Sequence, residues 1–458
     1  MGARNQILAG AAAALLLGCS NSNMNTPAPA VSFSAPAAAT TINLGQSVKL
    51  AWSASNAMSC TASTSGPGGG FSGTMAASGS QSAAPTATGS VSYSLTCSGP
   101  GGTTSATAPA VTVNPSILSG LSTITLIGST DPQVNGTDYG FNPYGLVIAP
   151  ASSGLISKGD LVICNFNDGA TNTQGLGTTV VGLHPAAGST PYPIASSPDL
   201  EGCNALTMLP DDSISAAAYK ANQNPLVSAA GTVGTPFSAD SFQGPWGEAY
   251  VPANSSQPAS LYVSEVFNGA IDRITLNGDA QAGFTEIAKG FCGYGSPGAI
   301  YAPSGLTYDP ALDTLYVVDT SSNSVVAFAN VSAIGADGIL VDGSCGNDTP
   351  PTPVPTFSGP AAASAKVIAS GGQLNGPLSA ALLPDGDLVV GNADLDNPPT
   401  PNLLFEISPA LGVVGQPIQL DSGTAGALFG IVAATDGSGN TVIYFNDDNS
   451  STVMSLGK

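Results

Sequence analysis

The stretch from about Ile117 to Lys458 repeats one unit, and nothing else in the chain restricts its fold as strongly. A Pro-x-Gly-like turn leads into a short apolar strand: Pro143-Tyr144-Gly145-Leu146-Val147-Ile148, Pro245-Trp246-Gly247-Glu248-Ala249-Tyr250, Pro303-Ser304-Gly305-Leu306-Thr307-Tyr308, Pro377-Leu378-Ser379-Ala380-Ala381-Leu382 and Leu428-Phe429-Gly430-Ile431-Val432. A second strand follows each and ends in a polar residue, as in Leu161 to Asn165, Leu261 to Glu265, Leu315 to Asp319, Leu388 to Asn392 and Val442 to Asn446. A third then leaves, as in Ile271 to Leu276, Ser324 to Phe328 or Leu403 to Ile407. Runs this short, rich in Val, Ile, Leu and Tyr and bounded by Gly, Asn and Asp, read as strands. A unit of this size cannot bury its apolar face alone, so the copies must stack.

Spacing exposes a further copy. The step from Gly145 to Gly247 is 102 residues, against 58, 74 and 51 for the later ones. The hidden unit is placed at Ala205 to Pro210 with Ser213 to Tyr219, and it lacks the turn glycine. After Gly430 only 28 residues remain, enough for three strands, while Ser122 to Ile127 near the other end is free to complete the set. A sheet ring closed in this way leaves no open edge, which is the logic of a propeller. The repeat resembles the NHL family and its six-bladed β-propeller relatives, with Gly305-Leu306-Thr307-Tyr308 to Val325-Val326-Ala327-Phe328 the nearest single copy. The resemblance implies an all-β six-bladed propeller over residues 116–458. Such families include exported bacterial proteins, protein-binding propellers, and lactonases and lyases, so fold alone does not choose a function.

Residues 31–115 follow a different pattern. Val48, Leu50 and Trp52 alternate with Lys49 and Ala51, and Val91, Tyr93, Leu95 and Cys97 repeat the alternation after a series of Gly-rich turns. This reads as a β-sandwich. The run Gly45 to Cys60 with Tyr93-Ser94-Leu95-Thr96-Cys97 resembles a bacterial immunoglobulin-like domain, which implies a Cys60–Cys97 bridge and Trp52 in the core, although Trp52 precedes the first Cys. The simplest role for such a domain is a spacer.

The first nineteen residues fix the expected compartment. Arg4 is the one charge before an uninterrupted apolar run, Ile7 to Leu17. At about 1.5 Å per residue these eleven residues reach roughly half of a ~30 Å hydrocarbon core, too short to span it and typical of a signal peptide. The run ends in Leu16-Leu17-Gly18-Cys19, which resembles the lipobox of bacterial lipoproteins. That resemblance implies cleavage before Cys19, acylation of its sulfur and anchorage to a bilayer; Ser20 as second mature residue points to the outer membrane. Residues 20–30 then form a flexible tether, because they hold too little apolar surface to repay ordering. With Cys19 lipidated, six cysteines remain. An even number in an exported chain points to disulfides, and six allow 15 connectivities. They fall in order into local pairs, and the domain reading supports Cys60–Cys97, Cys164–Cys203 and Cys292–Cys345. No Cys-x-x-Cys occurs and His184 is the single histidine, so a structural zinc site is not expected.

Charge excludes some partners. Only 8% of residues are charged, against about 25% in ordinary domains. Removing Arg4 leaves seven basic residues against 29 acidic ones, a formal charge near −22. Nucleic acid and anionic lipid surfaces are therefore not expected partners. At pH 2 to 3, with carboxylates neutral, the same chain carries only about +8 and escapes the self-repulsion of an ordinary domain.

Chemistry is sparsely supplied. Asn165, Glu265, Asp319, Asn392 and Asn446 end successive second strands; they form either an oxygen ring for Ca²⁺ or simple turn closures. The denser runs Asn392-Ala393-Asp394-Leu395-Asp396-Asn397 and Asn446-Asp447-Asp448-Asn449 are the best cation candidates, with Asn392, Asp394, Asp396, Asp447 and Asp448 as ligands and Ca²⁺ as the ion. Glu248 is the one Glu suitably placed for a channel metal of the gluconolactonase type. Trp246 is either a stacking platform for a sugar or peptide ring or a channel plug. His184, in Gly182-Leu183-His184-Pro185, has no acidic neighbour in sequence, and no Gly-x-Ser-x-Gly elbow occurs. The expected function is thus binding or scaffolding for a protein or carbohydrate ligand, with a lactonase- or lyase-type enzyme as the alternative.

Overall fold

The computed structural model describes residues 26–136, 139–254, 257–296, 299–342, 353–393, 402–421 and 427–458. The signal segment, Cys19, Cys345, Asp394 and Asp396 lie outside the described residues. The described chain is all-β, and no helix in it is long and apolar enough to cross a membrane.

Alternating burial builds the N-terminal part. Ala30–Ala35, Val48–Ser55 and Ser78–Ala83 form one sheet; Thr40–Asn43, Val111–Asn114, Gly89–Gly99, Ser59–Ser65 and Gly73–Met75 form a second, with Gly102–Thr107 also on Gly89–Gly99. Val48, Leu50 and Trp52 are buried while Lys49 is exposed, and together with Cys60, Tyr93, Leu95 and Val111 they make a single core. Phe71 sits at its centre, edge-on to Trp52 at 5.4 Å and to Tyr93 at 6.0 Å. Cys60 and Cys97 are bonded and face each other on neighbouring strands of one sheet, so the bridge does not join the two sheets. Closing a loop over 37 positions contributes about 3 to 4 kcal/mol in the chain-entropy view.

The rest of the chain forms a β-propeller. Sheet I contains Phe141–Ile148, Leu161–Asn167, Thr179–Leu183 and Tyr192–Ser196; sheet II contains Cys203–Met208, Ile214–Ala218 and Leu226–Val227. Sheet III contains Pro245–Val251, Ser260–Glu265, Ala270–Asn277 and Ala280–Lys289; sheet IV contains Pro303–Asp309, Thr314–Asp319, Ser324–Ala329 and Ala365–Ser370. Sheet V contains Pro377–Leu382, Leu388–Asn392, Asn402–Ser408 and Gly412–Asp421; sheet VI contains Ile431–Thr435, Thr441–Asp447 and Thr452–Gly457. The first strand of each sheet touches that of the next, and Phe141–Ile148 touches Ile431–Thr435, so the arrangement returns on itself. Thr123–Ser129 pairs antiparallel with Thr452–Gly457 and completes sheet VI with a strand from before sheet I. Sheet III is also widened: Ile339–Asp342 pairs parallel with its outer strand and carries Thr356–Ser358 beyond it, so the connection inside sheet IV makes an excursion onto its neighbour.

In four of the five copies the Pro-x-Gly-like element is not a turn. It lies inside the inner strand, at a register shift between Pro245 and Glu248 and again between Pro303 and Leu306, whereas Leu428-Phe429-Gly430 precedes its strand, Ile431–Thr435. The glycine is required by close approach, since a Cβ on Gly247 would lie 2.0 Å from Ser304 O and one on Gly305 would lie 2.6 Å from Leu378 O. Neighbouring inner strands thus meet backbone to backbone at the bulge.

Short polar side chains fasten five of the six junctions. Asn204 Nδ2 donates to Trp246 O at 2.7 Å, Ser264 Oγ to Ser304 O at 2.6 Å, Thr320 Oγ1 to Pro377 O at 2.6 Å, Ser379 Oγ to Leu428 O at 2.6 Å, and Asn446 Nδ2 to Tyr144 O at 2.9 Å. Between sheets I and II the fastening is covalent, the Cys164–Cys203 disulfide. Cys292 is also disulfide-bonded, and Cys345, the partner expected for it, lies outside the described residues.

Candidate functional site

Six inner strands enclose the channel, and its two ends differ. Toward the C-terminal ends of those strands a cavity of about 370 Å³ opens, walled by Val147, Met208, Tyr250, Tyr308, Leu382 and Val432. All six are half-buried. Tyr308 donates its hydroxyl to Asp313 Oδ1 at 3.1 Å, and burial with the Asp313 charge pushes its phenol up to about 12, so it stays protonated. The result is a concave bowl whose exposed lining is more polar than apolar, with two tyrosines among the lining residues.

The opposite end is filled by rings. Tyr144 is sandwiched between Phe166 at 4.3 Å and Phe429 at 3.8 Å, both nearly parallel to it. Trp246 stands edge-on to Tyr144, Phe166 and Tyr219 at 6.2, 5.8 and 5.5 Å. It is 5% exposed, so of the two roles open to Trp246 the plug describes its placement and no face is offered to a ligand.

Glu248 lies on the channel wall, but its carboxylate turns sideways between sheets II and III. Ser215 Oγ donates to Oε1 at 2.9 Å, Asn224 Nδ2 donates to the same oxygen, and Oε2 has no partner. Burial pushes this carboxyl up to about 8, against the pull of the two donors. With no cation beside it, it is largely an uncharged acid at neutral pH.

The strand-end acceptors Asn165, Glu265, Asp319, Asn392 and Asn446 are all buried, and none faces a shared centre. Three of them clip the loop that enters their own inner strand: Asn165 Nδ2 donates to Tyr139 O, Glu265 Oε2 accepts from Gln243 N, and Asn392 accepts from Asn375 N and donates to Gln373 O, all at 2.7 to 3.1 Å. Asp319 closes its own turn through Ser321 and Ser322. Turn closure, one of the two alternatives, therefore describes only Asp319, while Asn446 serves the next sheet. Asp447 accepts from Ser450 Oγ at 2.8 Å and lies near Asp421, and Asp448 begins a short 3-10 turn. Among the described residues these two do not join a third acidic side chain.

His184 does have an acidic partner. Its Nδ1 is 2.7 Å from Asp160 Oδ1, and Tyr192 donates to Asp160 Oδ2 at 2.5 Å. Burial works to raise the Asp160 carboxyl, but donors from Tyr192, His184 and Ser157 hold it below its ordinary value. The group lies on the second to fourth strands of sheet I, away from the channel, and His184 is 62% exposed. Sequence reading missed it because antiparallel pairing of Leu161 with Leu183 brings together Asp160 and His184, which are 24 apart in the chain.

No protein-family model matches the chain, and no curated protein matches it. Among solved structures it is similar to virginiamycin B lyase from Staphylococcus aureus, at 15% identity over 73% of this chain and 99% of that one, TM-score 0.43. It is similar to a protein of unknown function from Bacteroides thetaiotaomicron, at 10% identity over 95% and 99%, TM-score 0.45. A third similarity is to a chain of a nidogen/laminin complex, at 14% identity over 63% and 84%, TM-score 0.43. None of these assigns a ligand or a reaction to this chain.

Proposed function

We propose that the chain is an extracytoplasmic lipoprotein, acylated at Cys19 and held on the bacterial outer membrane, in which an immunoglobulin-like sandwich carries a six-bladed, NHL-type propeller. The propeller serves as a binding or scaffolding module for a protein or carbohydrate ligand. The observation that carries this reading is the bowl at one end of the channel, more polar than apolar, with Tyr250 and Tyr308 among its lining residues and an aromatic plug beneath it. A largely polar bowl that also carries tyrosines suits a sugar ring or a peptide. The lactonase or lyase alternative needs Glu248 as an ionised channel ligand, whereas its carboxyl is buried against Ser215 and Asn224. A thermal-shift screen of oligosaccharides and peptides tests the reading: hits should lose their effect in Tyr250→Ala/Tyr308→Ala. Lactone hydrolysis that disappears in Glu248→Ala would reverse the ranking of the two functions.

A further inference from the structure

The sandwich and the propeller meet through a group of carboxylates that the channel does not use. The first hairpin of sheet V brings Asp385 and Asp387 against the sandwich loop Asn43 to Ser47, and Glu406 on the third strand of that sheet reaches the segment joining the two parts. Each of these acids offers one oxygen, and the three oxygens lie within 4.8 Å of one another. Asn43 Nδ2 donates to Asp385 Oδ2 and Gln46 Nε2 to Asp387 Oδ1, both at 3.0 Å. Ile117 N and Leu118 N donate to the two oxygens of Glu406 at 3.1 and 2.6 Å.

Neutralisation is what this group lacks. Asp387 is 1% exposed and Glu406 fully buried, and every ion pair among the described residues involves Lys289 or His184, elsewhere in the chain. A second observation is independent of the clustering: Asp387 Oδ2 has no hydrogen-bond partner. Ser408, the nearest hydroxyl to consider, directs its proton to Gly45 O at 2.5 Å. The backbone of Gly45 passes so close over Oδ2 that a Cβ there would lie 2.2 Å from it. A cavity of about 540 Å³, walled by Gln46, Asp309, Leu312, Asp385, Asp387 and Ser408, gives access from one side. A buried carboxylate oxygen without a donor is costly unless a cation supplies the missing charge.

Donor type selects the ion. An all-oxygen set of carboxylates and amides suits a hard cation, and Ca²⁺ accepts such oxygens at about 2.3 to 2.6 Å in flexible geometry, whereas Mg²⁺ demands a near-ideal octahedron and keeps several waters. The amides of Asn43 and Gln46 point nitrogen at the acids, and a half-turn of either presents oxygen instead.

We propose that Asp385, Asp387 and Glu406 bind one Ca²⁺ at the seam between sandwich and propeller, completed by Asn43 and Gln46, and that this ion fixes the orientation of the two parts. The site does not depend on what the channel binds. Full-length protein in detergent, stripped with EDTA and titrated with CaCl₂ by calorimetry, tests it. One Ca²⁺ per chain is expected, weakened at least tenfold by Asp387→Asn and by Glu406→Gln but not by Asp279→Asn on an exposed hairpin. Small-angle scattering of the same samples should show a smaller radius of gyration with Ca²⁺ in wild type and no change in Asp387→Asn. Circular dichroism in EDTA keeps the test valid, since both variants remove repulsion and should fold. No binding at millimolar Ca²⁺, equal affinity in Asp387→Asn, or a site lost only in Asp447→Asn would each overturn the proposal.

Discussion

Replacing Glu248 by glutamine removes an ionisable group from between sheets II and III while keeping its shape, and the consequence depends on pH. Burial holds the folded carboxyl at about 8, against an ordinary value of 4.5. Below the ordinary value the group is protonated in both the folded and the unfolded chain, so its full contribution is present there. As pH rises the unfolded chain releases the proton and the folded chain keeps it, so stability falls with pH until the folded group also ionises. At about 1.4 kcal/mol per pKa unit the loss is roughly 3 kcal/mol by pH 7 and approaches 5 near pH 8. The amide of the variant does not titrate. Glu248→Gln should therefore be near wild-type stability or slightly below it at pH 4.5, and more stable than wild type by a few kcal/mol at pH 8. Urea unfolding followed by the fluorescence of Trp246, which packs on the rings beside the channel, measures the difference. A Glu248→Gln propeller that is no more stable relative to wild type at pH 8 than at pH 4.5 would refute the reasoning, because Glu248 would then be an ionised acceptor for Ser215 and Asn224.

Three further outcomes follow from the same structure. Asp272 is fully buried, both its oxygens lack partners, and burial with the Glu286 charge raises it to about 8; the wild-type melting temperature should therefore fall from pH 4 to pH 8, as circular dichroism melts at several pH values will register. Cys164→Ser with Cys203→Ser removes the covalent fastening of sheets I and II and should cost about 2 to 5 kcal/mol, against about 1 to 3 for Asn446→Ala at the junction of sheets VI and I, compared by denaturant midpoints. Gly247→Ala drives a methyl into Ser304 O and should lower the melting temperature by many degrees, whereas Gly437→Ala, with nothing within 4 Å, should leave it within a degree or two.

The recurring strands were legible because the second strands of sheets I, III and IV are buried on both faces along their whole length and so read as nearly unbroken apolar runs between turn residues. Phase did the rest. A doubled interval exposed sheet II at Cys203–Met208 and Ile214–Ala218 despite its missing glycine, and a shortage of residues after Gly430 exposed the strand borrowed at Thr123–Ser129. Glycine was misread as a turn residue for a physical reason. A tight turn and a close backbone contact both exclude a Cβ, and a sequence cannot say which of them does so. The two strands that the sheet IV connection lends to sheet III were also hidden, since a parallel pairing of Ala288 with Ile339 leaves no local pattern.

Side-chain direction explains what the sequence concealed about the site. Position along the sequence put Glu248 on an inner strand, but the bulge at Gly247 shifts the register just before it, and its carboxyl leaves toward Ser215 and Asn224. The same limit applies with more force across the seam. Asn43 and Asp385 are 342 residues apart, and Ile117 and Glu406 are 289 apart. Each residue reads alone as an ordinary turn or linker residue, and Pro384-Asp385-Gly386-Asp387 resembles any hairpin tip. The acids become a candidate site only when the sandwich loop is laid over them, excluding the water that would otherwise solvate three charges at close range. A chain with seven basic residues after Cys19 has few cations of its own to spend there. In such a chain a buried carboxylate is left with a proton or a metal ion, and at the seam three oxygens lie close enough to share one ion.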